Sequence, residues 1–158
     1  MLKYIVPRFL LASLRIETIL QETTIDRRTQ KLRAMQNGLD LGGVYEATLG
    51  RIKAQGGEKE RLGMAVLMWI SHSRRPLRVD EICHAIATQI GSNGLNDDDI
   101  PAISTLLGFC QGLAIIDKGA SAVRLINFTL KEYLGTLPDL FDRAHSKMAE
   151  ICLTYLNF

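Results

Sequence analysis

Cys83 and His84 stand side by side, and a thiol next to an imidazole is the raw material of nucleophilic and metal chemistry. Neighbours on a helix point about 100° apart, however, and no CxxC or HxxxH spacing supports the pair. It therefore reads as a buried cysteine beside a surface histidine. Gly119-Ala-Ser121-Ala-Val approaches the GxSxG nucleophile elbow but lacks its last glycine, and it falls in an expected hairpin. The triplet Asp97–Asp99 resembles half of a calcium loop, yet no glycine and distal glutamate follow at the required spacing. It reads as a solvated helix entrance. His72 falls at the end of a helix, where a cation suits the dipole, and His145 in the first turn of another, at the surface. Trp69 and the methionines around it are core residues. The phosphate-cradling pattern GxxxxGK[ST] is absent from the sequence. These residues predict no enzyme, no metal and no cofactor.

The elements that must position these side chains are mostly helical. The chain has 158 residues, 47% hydrophobic and 23% charged, which suits a soluble globular protein. At that length about 68–70% of the unfolded surface can be buried without metals or disulfides. Three widely spaced cysteines, Cys83, Cys110 and Cys152, argue against a disulfide framework and for a reducing, cytoplasmic interior. Pro7, Arg8, Arg15 and Glu17 interrupt the apolar amino-terminal stretch, so no secretory signal is expected, and no apolar run is long enough to span a bilayer. Residues 1–62 carry 11 Lys+Arg against 7 Asp+Glu, and residues 63–158 carry 8 against 10. Neither balance is the strongly basic footprint of a nucleic-acid binder.

Phe9, Leu10, Leu14, Ile19 and Leu20 space an amphipathic helix over 5–21. A second, basic helix is expected from Ile25 to Gln36, closed by Asn37-Gly38. Asp40 would cap a third, through Ile52, that Gly56-Gly57 stops. The run Met64–Ile70 has no polar face, so the helix from Glu58 to Ser73 should be central and buried. Arg75-Pro76 ends it, since a residue before proline avoids the helical region. Pro76–Val79 is a short extended piece, and Asp80-Glu81 opens a fifth helix with the apolar stripe Ile82, Ala85/Ile86 and Ile90. Gly91–Gly94 turns the chain. A sixth helix is expected from Asp99 to Gly112, then strands Leu113–Asp117 and Val123–Ile126 joined through Lys118–Ser121. Thr129 and Glu132 have capping-box spacing for a helix to Leu134. Met148, Ile151/Cys152 and Tyr155/Leu156 form the stripe of a last helix after Pro138.

This is the order of a winged-helix domain, mainly α with a small β-hairpin wing. In such a fold a DNA-reading helix needs cations and amides. The helix here, Asp99–Gly112, has no positive charge and follows three aspartates, and the wing adds only Lys118 and Arg124. Nucleic acid is an unfavoured partner.

Leu62–Ala85, with its phrase Trp69-Ile-Ser-His-Ser-Arg-Arg-Pro-Leu-Arg-Val-Asp-Glu-Ile-Cys-His, resembles the winged-helix region that follows the NACHT nucleotide-binding domain in fungal NACHT–ankyrin proteins. Leu106–Leu113, Val123–Leu134 and Ala144–Leu156 share the resemblance, which covers the chain from about Phe9 to Phe158. This region goes by the label "GPI inositol-deacylase winged helix", which implies no deacylase activity. The resemblance implies a NOD-like-receptor (STAND) architecture, in which this intracellular module joins an NTPase to ankyrin repeats and works through protein–protein contacts. Its implied partners are the NACHT domain and the repeats, with self-association and no membrane. The chain itself has the look of a fragment with neither flanking domain.

Two departures stand out. Where the family has His after the second wing strand, and where that His would meet the β-phosphate of ADP, this sequence has Asn127. Position 127 is thus the nucleotide-sensing candidate, to act only with a NACHT domain; the competing view has Asn127 satisfying its own turn. Where the family has Thr before Val-Asp-Glu, this sequence has Arg78, and the capping box is expected to be lost at a cost of about 1 kcal/mol. The expected organisation is a helical layer over 1–57, packed on a winged helix over 58–137, with a C-terminal helix over 138–158. The function read from it is a non-catalytic regulatory and coupling module. The alternative is a free-standing protein-interaction domain.

Overall fold

Two adjacent glycines decide where the central helix begins. Gly56 and Gly57 sit at φ 65° and 55°, a region that residues with a Cβ rarely enter. They separate α2, Leu41–Ala54, from α3, Gly57–His72. Helix α1 precedes both at Ile25–Gln36, with the Thr24 hydroxyl accepting from the Arg27 N–H. This computed structural model describes residue 16 and residues 19–36 and 41–158. Most of the helix expected over 5–21, the Asn37-Gly38 stop and the Asp40 cap lie outside the described residues. The chain divides into two compact units, Met1–Arg51 and Ile52–Phe158.

In the second unit, α3 is the hub, as its apolar run requires. It buries Leu62, Gly63, Val66, Leu67, Met68 and Trp69. It packs against α4 (Val79–Ala87), α5 (Ile103–Phe109), α7 (Ala144–Leu156) and strand β3 (Ala122–Leu125). Gly63 permits the closest approach. A Cβ there would stand 2.8 Å from the Phe109 carbonyl oxygen and 3.3 Å from Ile52 Cγ2. Gln55 Nε2 donates to the same Phe109 carbonyl at 2.9 Å, tying the start of the unit to the end of α5.

The sheet is small and antiparallel, in the order β1–β3–β2. Strand β1 is Leu77–Arg78, β2 is Ala114–Asp117 and β3 is Ala122–Leu125. Leu77 faces Val123 and Ile116 faces Val123 from the other side, so Val123 is the sheet's buried centre. In the hairpin, Asp117 Oδ1 accepts from the Gly119 N–H at 3.0 Å, and Ser121 turns at φ 49°. Arg124 and Asp117 pair along the wing at 3.2 Å.

Three expectations change. The helix foreseen at Asp99–Gly112 is a 3₁₀ turn, Asp97–Asp99, then α5 at Ile103–Phe109. Pro101 holds Ile100 extended at ψ 111°, which splits the two. The last helix is preceded by a 3₁₀ turn, Pro138–Phe141, and by Arg143 at φ 50°. Its foreseen stripe is mostly outside. Ala144 and Thr154 are buried, Met148 and Ile151 half-buried, and Cys152, Tyr155 and Leu156 exposed. Ile90 also lies outside α4 and is exposed, because the helix ends at Ala87.

The capping box at Arg78 survives by half. A guanidinium has donors only, so Arg78 cannot accept from the helix. Glu81 still reaches back, its Oε2 accepting from the Arg78 N–H at 2.8 Å. Arg75 adds a two-pronged contact, 2.9 Å to Oε2 and 2.7 Å to Oε1. The Arg75 guanidinium, then the Arg78 amide, hold the Glu81 carboxyl down at about 2 from the usual 4.5. A depressed carboxyl stabilises the fold above its unfolded value, and that part is lost as pH falls through 4.5 toward about 2. Glu81→Gln should therefore melt below the parent at neutral pH, with the gap closing toward pH 2. A gap that stays constant in thermal melts over that range would contradict the clamp.

Candidate functional site

Strand β3 hands the chain to a helix through Asn127. The Ile126 N–H still donates across to the Leu113 carbonyl at 3.0 Å. Asn127 is then fully extended, φ −153° and ψ 168°, and α6 runs from Phe128 to Gly135. Its Oδ1 accepts from the Leu130 N–H at 2.8 Å and from the Thr129 hydroxyl at 3.1 Å. Asn127 is thus the N-cap. Capping by Thr129 does not occur, because the helix has already begun at Phe128 and the asparagine oxygen takes the amide two residues on from it.

Around this cap lies a pocket of about 220 Å³. The loop between α3 and β1 contributes Arg74 and Arg75, β3 contributes Arg124, and α6 contributes Phe128 and Lys131, beside Asn127. Every titratable side chain lining it is a cation. Arg75 is committed to Glu81 and Arg124 is shared with Asp117. Arg74 and Lys131 form no ion pair with the described residues. Phe128 is 70% exposed at the rim, an unusual position for so large an apolar ring. The positive end of the α6 dipole faces the same place. Such a pocket attracts an anion.

The remaining chemically capable residues do not assemble. Cys83 is buried and its thiol is pushed up by desolvation and then by the Asp80 charge. His84 turns the other way and meets the Tyr155 hydroxyl at 2.9 Å. Cys110 is buried, and desolvation raises its thiol to about 12. Asp97–Asp99 are exposed, and Ser121 sits in the hairpin. His72 Nδ1 lies 2.9 Å from Ser71 Oγ, and its ring is edge-on to Phe141 and His145, with His145 exposed. Among the described residues no group of three His, Cys, Asp or Glu could hold a metal ion. No described helix is long and apolar enough to cross a membrane. A larger groove, about 480 Å³, runs past Trp69, Ala85, Tyr155 and Leu156.

Helix, short strand, two helices and a β-hairpin on one three-stranded sheet are the parts of a winged helix, and the model of the family "GPI inositol-deacylase, winged helix domain" matches residues 51–149. The chain belongs to this winged helix family. No curated protein and no solved structure matches it. The winged helix match contains every residue of the cationic pocket. In this winged helix α5, the helix that would read DNA, offers no cation. Of the pocket residues, sequence reading singled out Asn127 and weighed Arg124 only as part of the wing. Lys131 was not singled out from the sequence, although it falls about one turn into the helix that Asn127 caps. Arg74 and Phe128 carry no such mark, since only the fold brings residue 74 to residue 128.

Proposed function

We propose that this winged helix is a non-catalytic regulatory and coupling module of a NACHT-type signal-transducing NTPase. In that role it passes the nucleotide state to a downstream repeat sensor. Position 127 and the cations beside it face the phosphates of a nucleotide held by the NTPase domain. The supporting observation is the coincidence of Asn127 with a pocket whose charged residues are all positive. The family match supports the same reading, as the winged helix resembled by the sequence follows NACHT domains.

The test is ADP release from a fusion of this chain behind a matching NACHT domain. One charge-assisted contact contributes about 1.5–3 kcal/mol, so its loss changes release about tenfold or more. Asn127→His should slow release and favour the closed monomer. Asn127→Ala should speed release, but it also removes the cap. Asn127→Asp separates the two effects, because aspartate caps as well as asparagine yet repels phosphate. It should speed ADP release without the fall in melting temperature that loss of the cap brings. Equal off-rates for all four residues would leave the domain a passive spacer.

A second reading is a free-standing interaction domain. It draws on the apolar end of α7, where Leu153, Tyr155, Leu156 and Phe158 are all exposed. Light scattering on the isolated chain distinguishes a self-associating surface from a monomer.

A further inference from the structure

The wing-root pocket has two halves that ask for different parts of one ligand. We propose that it is a binding site in its own right for a phosphoryl dianion carried on a flat aromatic group. Arg74 and Lys131 hold the phosphoryl oxygens, and Phe128 stacks on the carrier. This deepens the proposed nucleotide contact and rests on that reading only for where the anion would come from.

The charge half comes from what the side chains already do. Arg75 spends both guanidinium nitrogens on Glu81, and Arg124 leans on Asp117. Those two set the field but have partners. Arg74 and Lys131 line the same pocket without an ion-pair partner among the described residues, and no carboxylate lines it with them. The second unit is otherwise rich in carboxylates, including Asp97–Asp99 on a distant turn, so cations without acids are a local arrangement. A guanidinium and an ammonium set beside each other repel until a doubly charged ligand neutralises both.

The aromatic half is Phe128. As the first residue of α6 it could have turned inward, as Leu130 and Leu134 do, yet it stays 70% exposed on the pocket wall. An exposed ring beside free cations is the combination that captures a base or a phenol ring along with its phosphate. The pocket, at about 220 Å³, has room for a phosphoryl group with part of its carrier. A nucleotide and a phosphotyrosine side chain share this chemistry.

The experiment uses the full chain and follows backbone amide shifts in titrations with phenyl phosphate and inorganic phosphate at pH 8, where both are largely dianions. Phenyl phosphate should perturb amides of residues 73–75, 124 and 127–131, and bind at least about threefold more tightly than inorganic phosphate. Phe128→Ser should abolish that preference and leave inorganic phosphate binding as it was. Arg74→Gln and Lys131→Gln should each weaken both probes by about threefold to tenfold. Lys59→Gln, which removes a charge at the far end of α3 from Arg74, should change neither. Parallel titrations with AMP and with phosphotyrosine identify the carrier by the tighter of the two. Shifts spread over all surface lysines and arginines, or equal weakening by Lys59→Gln, would overturn the site. Failure here with Asn127-dependent ADP release intact removes the pocket but not the proposed function; the reverse outcome keeps the pocket and removes the coupling.

Discussion

Trp69→Ala is expected to lose about 3–5 kcal/mol, most of the stability of a domain this size. Trp69 is 5% exposed on the central helix, where it has the largest side chain of that buried face. Its indole Nε1 is buried without a hydrogen-bond partner among the described residues. The tryptophan therefore contributes through packing alone, and its N–H is a burden of about 1–3 kcal/mol rather than an anchor. Trp69→Phe should for that reason cost far less than alanine, since it keeps a ring and removes the orphaned donor. Urea unfolding followed by far-ultraviolet dichroism measures both. An alanine variant within 1.4 kcal/mol of the parent, tenfold in the folding constant, would deny α3 its central place.

Gly63→Ala should destabilise by about 2–3 kcal/mol, although alanine is the better helix former by about 1 kcal/mol. The new methyl carbon would meet the Phe109 carbonyl oxygen at 2.8 Å and its carbon at 3.2 Å. Both are backbone atoms at the end of α5, so relief requires α3 and α5 to move apart. That separation would also strain the Gln55 to Phe109 hydrogen bond and the packing of Cys110, whose sulfur lies 3.8 Å from the Gly63 carbonyl. Gly108 provides the control. It lies inside α5 with nothing within 4 Å of an added Cβ, so Gly108→Ala should gain about 0.5–1 kcal/mol. If the two substitutions shift the melting temperature in the same direction, the close crossing is wrong.

Much of this fold was legible because local chemistry dictates it. Gly56-Gly57 set the start of α3 through backbone sterics, which need no tertiary partner, whereas α3 ends at His72, ahead of the Arg75-Pro76 expected to stop it. The hairpin is equally local, with β-branched and apolar residues on either side of Lys118–Ser121. Legibility failed where a choice between two local solutions was made by the fold. Asn127 and Thr129 can both cap a helix, and the strand pairing of Ile126 to Leu113 left Asn127 extended and ready to do so. The stripe on α7 was read correctly as apolar, but periodicity cannot say whether a neighbour exists to cover it, and Tyr155 and Leu156 are exposed. The candidate site was legible at a single residue. Its charge comes from positions 74, 75, 124 and 131, which come together only once β3 has been laid beside the end of α3.

The three cysteines have a practical consequence. Cys83 and Cys110 are enclosed, and burial keeps both thiols protonated at neutral pH, whereas Cys152 is open to solvent. A maleimide or a disulfide reagent added to the native protein will therefore find one address, on α7 at the edge of the groove that passes Trp69. A fluorophore or spin label can be attached there without mutating anything, on a groove that the single tryptophan also lines. The two hidden thiols become a clock. They react when the core between α3, α4 and α5 opens, so the rate of the slow phase of alkylation reports how readily it opens.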